Sequence, residues 1–315
     1  LNPILRPFES GDLPAIARLH QRVHGRPLDE AEWRWKYDAN PFGRLSFLAH
    51  LGGEAMAFYG GWWLRLRGSE GSREVLEVSD SMTDPAARVA GHRPLLQSVH
   101  EAFIDAARGA GIAFCFGCPN RRALRLGKRF LQYEEAGPLV RWTASLEPFG
   151  AADEPPFVRV SDTFPEGHGP LADELHARPG WRVDRGRGAS NWRYHARPER
   201  YYRVFHVGPD SARAAAFAVV VTVGPLAQLL DLQWTREDGE RWLRRLLGLL
   251  ARDLAPAGVA TLELGGRFSA DESALLERLG LESAEDGNRL VAEPIPEARS
   301  AMPTLSLRWG DLDYF

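Results

Sequence analysis

A faint internal repeat limits the folds open to this chain more than any bulk property does. Trp35-Lys-Tyr-Asp-Ala-Asn-Pro41 matches Trp192-Arg-Tyr-His-Ala-Arg-Pro198, with Trp, Tyr, Ala and Pro at the same places. Four identities alone fall within chance. The elements after each copy also correspond: a hairpin, a further strand, an amphipathic helix, a short strand and a second helix. The matched order makes duplication the better reading. The chain has 315 residues, room for two ordinary domains, and its 44% hydrophobic content is that of a protein with a real core.

Periodicity fills in the first copy. Residues 4–8 read as a strand. Asp12 and Pro14 open a helix whose stripe is Leu13, Ile16, Ala17, His20 and Val23. A second helical segment spans 29–37. Strands follow at 45–51 and 55–66, joined by Gly52-Gly53, a good hairpin turn. A glycine-rich tip at 65–73 leads to a strand over 73–82. After a helix at 94–108 come a buried strand (112–118), a helix (121–131) and a strand (139–146). The second copy reads as strands at 201–207, 214–223, 226–234 and 258–264. Its helices run from Trp242 to Leu254 and over 273–279. Residues 147–156 are rich in proline, glycine and alanine, so domains are expected at 1–148 and 157–315 with a linker at 149–156. The fold class is α/β (α+β), each domain a mixed, mostly antiparallel sheet flanked by helices.

Between Val78 and Leu96 the chain passes from a strand through a loop of small residues and arginines into a helix start. Pro94 stands where a first-turn proline is tolerated. Such a loop points several N–H groups one way at the positive end of a helix dipole, which makes an anion cradle. Arg88 and Arg93 add charge suited to phosphate. The second copy has Gln233-Trp-Thr-Arg-Glu-Asp-Gly-Glu-Arg-Trp242 at the matching place, with three acids expected to repel a phosphate. One half is thus equipped for an anionic ligand, and the other is its structural or pocket-completing partner.

Other function classes are poorly served. A net charge of −3 gives no general attraction to nucleic acid or anionic membrane. Cys115 and Cys118 are the only two cysteines, too few for a disulfide framework or a four-thiolate zinc site, and they sit in an apolar run. His20 and His24 have metal-ligand spacing but no third ligand, so no metal is expected. No signal peptide and no membrane-spanning apolar run are evident, which points to a cytoplasmic protein. Of the 39 basic residues only Lys36 and Lys128 are lysine.

Element order and loop together resemble the GCN5-related N-acetyltransferase (GNAT) superfamily. In that family a loop of pattern Arg/Gln-x-x-Gly-x-Gly/Ala follows the fourth strand and holds the coenzyme A pyrophosphate on its amides. Arg88-Val-Ala-Gly91-His-Arg93 matches the first Arg and the Gly, while Arg93 replaces the final small residue. Phe116-Gly-Cys-Pro-Asn120 looks like the fifth strand and the Asn that opens the next helix. Trp35 to Gly43 is similar to bacterial members with two tandem copies, often linked with sugar metabolism. The resemblance implies acetyl-CoA or another acyl-CoA as co-substrate, held by Met82, Thr83, Arg88, Val89, Ala90, Gly91, His92, Arg93 and Asn120. It also places the family's frequent general acid, a tyrosine, at position 127, which is glycine here; Tyr133 lies beyond that helix.

Acyl transfer to an amine requires a neutral amine near the thioester carbon, an oxyanion donor and a proton acceptor. The last amides of the strand, at Met82 and Thr83, suit the oxyanion. The carboxylate candidates on that strand are Glu77 and Asp80, with salt-bridged strand residues as the alternative. By resemblance to tandem members, the tail Gly310-Asp-Leu-Asp-Tyr-Phe315 offers Asp311 and Asp313, with a tail that merely covers the second sheet as the alternative. Trp35 and Tyr37 are candidate walls of a substrate pocket. The expected reaction is N-acyl transfer, first N-acetyl transfer, to the amine of a small molecule, with an amino sugar the first guess. The alternatives are a non-catalytic binder of acyl-CoA or an acyl-carrier thioester, and a thioester decarboxylase or S-acyltransferase. A tandem pair can supply internally what single-copy relatives obtain by pairing, so a monomer or homodimer is expected.

Overall fold

The computed structural model describes residues 3–87, 95–199, 201–295 and 305–312. The chain begins β1 (Ile4–Pro7), α1 (Leu13–His24), α2 (Glu30–Tyr37), β2 (Arg44–Leu51), β3 (Glu54–Gly68) and β4 (Gly71–Thr83). It continues α3 (Leu95–Gly109), β5 (Phe114–Gly117), α4 (Arg121–Phe130) and β6 (Glu134–Ser145), the order read from the sequence. Gly52 and Gly53 turn the β2–β3 hairpin at φ of 62° and 86°, a pairing open to glycine without strain. Asp12 precedes α1 without capping it. Its carboxylate goes instead to Arg6 and to the Glu9 N–H.

The remainder runs β7 (Phe157–Ser161), α5 (Gly169–His176), β8 (Trp181–Val183), α6 (Arg187–Ser190), β9 (Arg203–Gly208), β10 (Ala216–Val223) and β11 (Leu226–Trp234). Then come α7 (Gly239–Leu254), β12 (Thr261–Arg267), α8 (Ala270–Arg278), β13 (Glu282–Pro294) and β14 (Leu305–Arg308).

Two compact units result, and their limits differ from a break at 149–156. The first comprises Leu1–Arg65, Arg73–Gly137 and Arg289–Met302; the second Leu66–Ser72, Pro138–Asn288 and Pro303–Phe315. Val140–Ser145 of β6 pair antiparallel with β12 in the second unit. Val291–Pro294 of β13 pair antiparallel with β5 in the first. Composition marks where the chain is irregular, and Glu147–Ala151 is indeed a 3₁₀ turn. It carries no information on which sheet completes a strand's hydrogen bonds.

The duplication is visible in the pairing. In the first unit β4 runs parallel to β5, and β5 is antiparallel to its other neighbour, β13. In the second, β11 is parallel to β12, and β12 is antiparallel to β6 along most of its length and to β14 at its end. One cluster in the first unit packs α3 residues Val99, Phe103 and Ala107 on Phe47, Tyr59 and Leu76. Its counterpart packs α7 residues Leu243, Leu246, Leu247 and Leu250 on Phe205, Ala218, Leu229 and Leu262.

The units differ where the parallel strands part. β4 and β5 are paired only at Leu76–Cys115 and Glu77–Phe116. In the second unit, β11 and β12 pair from Leu226–Thr261 to Leu229–Leu264, and beyond that β14 joins β12 at Gly266 and Arg267. Arg308 Nε lies 3.4 Å from Leu232 O of β11, so the C-terminal strand closes the opening. Glycines make this possible: a Cβ on Gly265 would lie 1.9 Å from the Trp309 ring, and Gly266 has φ 152° with Leu307 O at 2.0 Å from its would-be Cβ. Gly265→Ala is therefore expected to displace β14 and cost about 1–3 kcal/mol. Denaturant unfolding followed by tryptophan fluorescence measures this, and an unchanged midpoint with native emission would refute it.

Candidate active site

β4 carries the candidate chemistry into the first unit. Its alternation is broken at Asp80, which takes φ 57°, a left-handed conformation that Asp tolerates better than most residues. Val78 stays against the α3-facing core, while Met82 is buried with Phe8 and Phe58 on another cluster. Glu77 is buried, beside Phe116 across the short parallel pairing. The strand's exit is pinned. Asp84 N–H donates to Met56 O at 2.8 Å, and the Asp84 carboxylate takes Arg22 Nε at 2.5 Å and Ala86 N–H at 2.8 Å.

Asp80 is held from α2. Lys36 Nζ stands 2.8 Å from its Oδ2, and the Tyr37 hydroxyl donates to the same oxygen at 3.0 Å. The Ser79 hydroxyl lies 3.4 Å away. All three reach Oδ2, and among the described residues Oδ1 takes no bond. Burial alone would raise the Asp80 pKa, but the charge and hydrogen bond of Lys36, then Tyr37, outweigh it and hold the carboxylate below its ordinary value. Lys36 is itself buried, 5.9 Å above the Trp62 and Tyr37 rings. Sequence reasoning did not single it out for the site, although one of only two lysines among 39 basic residues was a signal. His20 and His24 lie on α1 with ring centroids 4.6 Å apart and planes tilted by 45°, and the charge of His20 is a minor contribution to the lowered Asp80 pKa. Among the described residues no cluster of three or more metal-ligating side chains forms.

The repeat owes its form to this contact. Tyr37 donates to Asp80 of β4, and Tyr194 donates to Asp231 of β11 at 3.4 Å. Tyr37 and Trp35 are accordingly buried, Trp35 edge-on to Trp62 at 5.7 Å, where an exposed pocket wall was expected of them.

The loop residues Arg88, Val89, Ala90, Gly91, His92 and Arg93 lie outside the described residues. The chain enters that stretch through the 3₁₀ turn Pro85–Ala87 and leaves it at α3. Asn120 caps α4, its side-chain oxygen accepting from the Arg122 and Ala123 N–H groups. Gly127 on that helix is packed against Tyr133. A Cβ there would lie 2.1 Å from Tyr133 Cδ2, so the Tyr133 ring occupies the space of the missing side chain. The Tyr133 hydroxyl is 2.8 Å from that of Tyr59, and burial raises the pKa of both. The Tyr59 ring meets His100, whose Nε2 is 2.8 Å from Glu293.

Asp311 is buried in the second unit, 2.7 Å from an Arg185 nitrogen and accepting from the Arg308 N–H at 2.8 Å. Arg185 also stands 2.6 Å from Asp231. Asp311 is a structural counter-ion beside β14, the strand that closes the sheet. Asp313 lies outside the described residues.

The sequence matches no family model and no curated protein. Solved structures do match. A conserved protein from Enterococcus faecalis V583, a probable N-acyltransferase, aligns over 94% of this chain and 73% of its own, with TM-score 0.70 and 8% identity. A GCN5-related N-acetyltransferase from Kribbella flavida aligns over 93% and 71%, with TM-score 0.67 and 15% identity. A tandem GNAT protein from the clavulanic acid biosynthesis pathway aligns over 94% and 100%, with TM-score 0.58 and 13% identity. The chain has the fold of the GCN5-related N-acetyltransferases, with two such units in one polypeptide. No helix among the described residues is long and apolar enough to cross a membrane.

Proposed function

We propose that the chain is an acyl-CoA-dependent N-acyltransferase, in the first instance an N-acetyltransferase, acting on the amine of a small molecule. The first unit carries the reaction. One observation bears most of this reading. β4 and β5 part after Glu77 and Phe116 with no described strand between them, whereas the matching opening in the second unit is closed by β14. The fold shared with acetyltransferases agrees with it.

In this reading the amine nitrogen attacks the thioester carbonyl carbon. The C–N bond forms, the C–S bond breaks, and the departing thiolate takes up a proton. Backbone N–H groups at Met82 or Thr83 face the oxyanion, and residues 88–93 hold the CoA diphosphate. Asp80 Oδ1 accepts an N–H of the incoming amine. A carboxylate of low basicity suffices, because the nitrogen becomes strongly acidic once it has added to the carbonyl. Burial of Trp35 and Tyr37 takes support from stacking on an amino sugar, and the acceptor proposed is a small amine.

Gly91→Glu is expected to weaken acetyl-CoA binding at least tenfold by calorimetry while circular dichroism stays native, since a carboxylate in the cradle repels the diphosphate. Unchanged affinity would refute the cradle. A second reading, a non-catalytic acyl-CoA binder, is favoured by Gly127, which leaves α4 without a proton donor at that place. Thiol release measured over a panel of amines, amino sugars included, decides between them: CoA binding with no release throughout selects the binder.

A further inference from the structure

The second unit contains a cavity of about 1020 Å³ where β11 passes into α7. Seven arginines and five carboxylates line it, together with Trp234, Gly239 and the start of α8. Two of the three acids expected to repel a phosphate are paired within the protein, Asp238 with Arg241 at 3.9 Å and Glu240 with two arginines. Glu240 binds Arg244 at 3.2 Å and Arg278 at 3.4 Å, and Glu272 binds Arg308 at 2.9 Å while capping α8. Three of the arginines, Arg182, Arg236 and Arg245, make no ion pair among the described residues.

Arg182 is the most telling. It is 6% exposed, and one of its guanidinium nitrogens donates to Leu175 O, yet among the described residues no carboxylate pairs with it. Burial, reinforced by Arg308, Arg178 and Arg185 and opposed by Glu272, brings its pKa down to about 10, so it stays charged at neutral pH. Arg245 lies over the Trp242 ring at 5.3 Å, and its Nε and one terminal nitrogen are buried without a hydrogen-bond partner. The 16-residue α7 starts at Gly239 after Asp238, which has φ 53° and gives no side-chain cap, so the helix's first N–H groups face the same space without a side-chain acceptor. A buried guanidinium without a counter-ion is costly, and the cost disappears when an anion fills the site. Guanidinium forks fit phosphate oxygens in pairs, and the volume exceeds what a single phosphate needs.

We infer that this cavity is a second ligand site, for a small molecule carrying a diphosphate, built from Arg182, Arg245 and the open end of α7. The inference is independent of acyl-CoA binding by the first unit. The test is calorimetry of the full chain with inorganic pyrophosphate, run in the presence of saturating acetyl-CoA. One pyrophosphate per chain is expected. Arg182→Gln is expected to weaken it at least tenfold. So is the more exposed double variant Arg236→Gln/Arg245→Gln, which keeps the test alive if the buried Arg182→Gln substitution impairs folding. Gly91→Glu is expected to leave it unchanged, whatever that variant does to acetyl-CoA. No pyrophosphate binding at millimolar concentration would overturn the inference. So would binding that Gly91→Glu abolishes while the arginine variants bind normally, since that would place it in the first unit.

Discussion

Arg185→Met is expected to destabilise the second unit by about 3–5 kcal/mol, the range for removing one member of a buried ionic cluster. Arg185 is the cation between Asp231 and Asp311, at 2.6 and 2.7 Å, and all three residues are buried. Tyr194, Gln233 and the Arg308 N–H satisfy further lone pairs but carry no compensating charge. The loss should depend on pH in a definite direction. Burial raises the pKa of Asp231 even with Arg185 present, and without Arg185 it rises further. A carboxyl whose folded pKa lies above its unfolded value contributes stability at low pH that is lost as pH rises through the folded pKa. The variant should therefore be least stable at neutral pH and partly recover near pH 4. Urea unfolding at both pH values tests this. If Arg185→Met fails to accumulate, Arg185→Met/Asp231→Asn/Asp311→Asn should restore folded protein. A loss below about 1 kcal/mol at pH 7 would show that the cluster is not what holds β14 in place.

This cluster marks the boundary of what the sequence revealed. The Trp-x-Tyr repeat was legible because it is local, and the structure supplies its cause in two tyrosine–aspartate contacts, Tyr37 to Asp80 and Tyr194 to Asp231. Element order was legible for the same reason: hydrophobic period and turn residues are short-range signals. Asp311 was misread because its partner, Arg185, lies 126 residues away, and nothing at short range tells a counter-ion from a base. Trp35 and Tyr37 were placed on a pocket wall because aromatic composition does not say which way a ring faces. The strands that complete each unit, β6 and β13, follow from hydrogen-bond demand along sheet edges, which no local pattern encodes. Likewise the residues that line the cavity beside Arg182 come from separate stretches of chain, so their convergence has no signature in any one of them.

Lys36→Met is expected to give the largest effect on the first unit, and it separates a positioning role from a packing role. Lys36 is buried and 2.8 Å from Asp80, whose own side chain is 27% exposed, so the stability loss should fall below the fully buried range, at about 1–3 kcal/mol. The pH dependence should reverse. In the native protein Lys36 and Tyr37 hold the Asp80 pKa below its ordinary value, so Asp80 adds stability above that value and loses it as pH falls through the folded pKa. Without Lys36, burial dominates and the folded pKa moves above the ordinary value. Stability is then lost as pH rises instead. Lys36→Met/Asp80→Asn should remove the dependence and recover most of the stability. Activity should not follow stability: both Lys36→Met and the double variant are expected to lower kcat by about 10²-fold or more if Asp80 receives the amine's proton. A double variant that is stable and fully active would assign the Lys36–Asp80 pair to packing alone, as Arg185 and Asp231 are in the second unit.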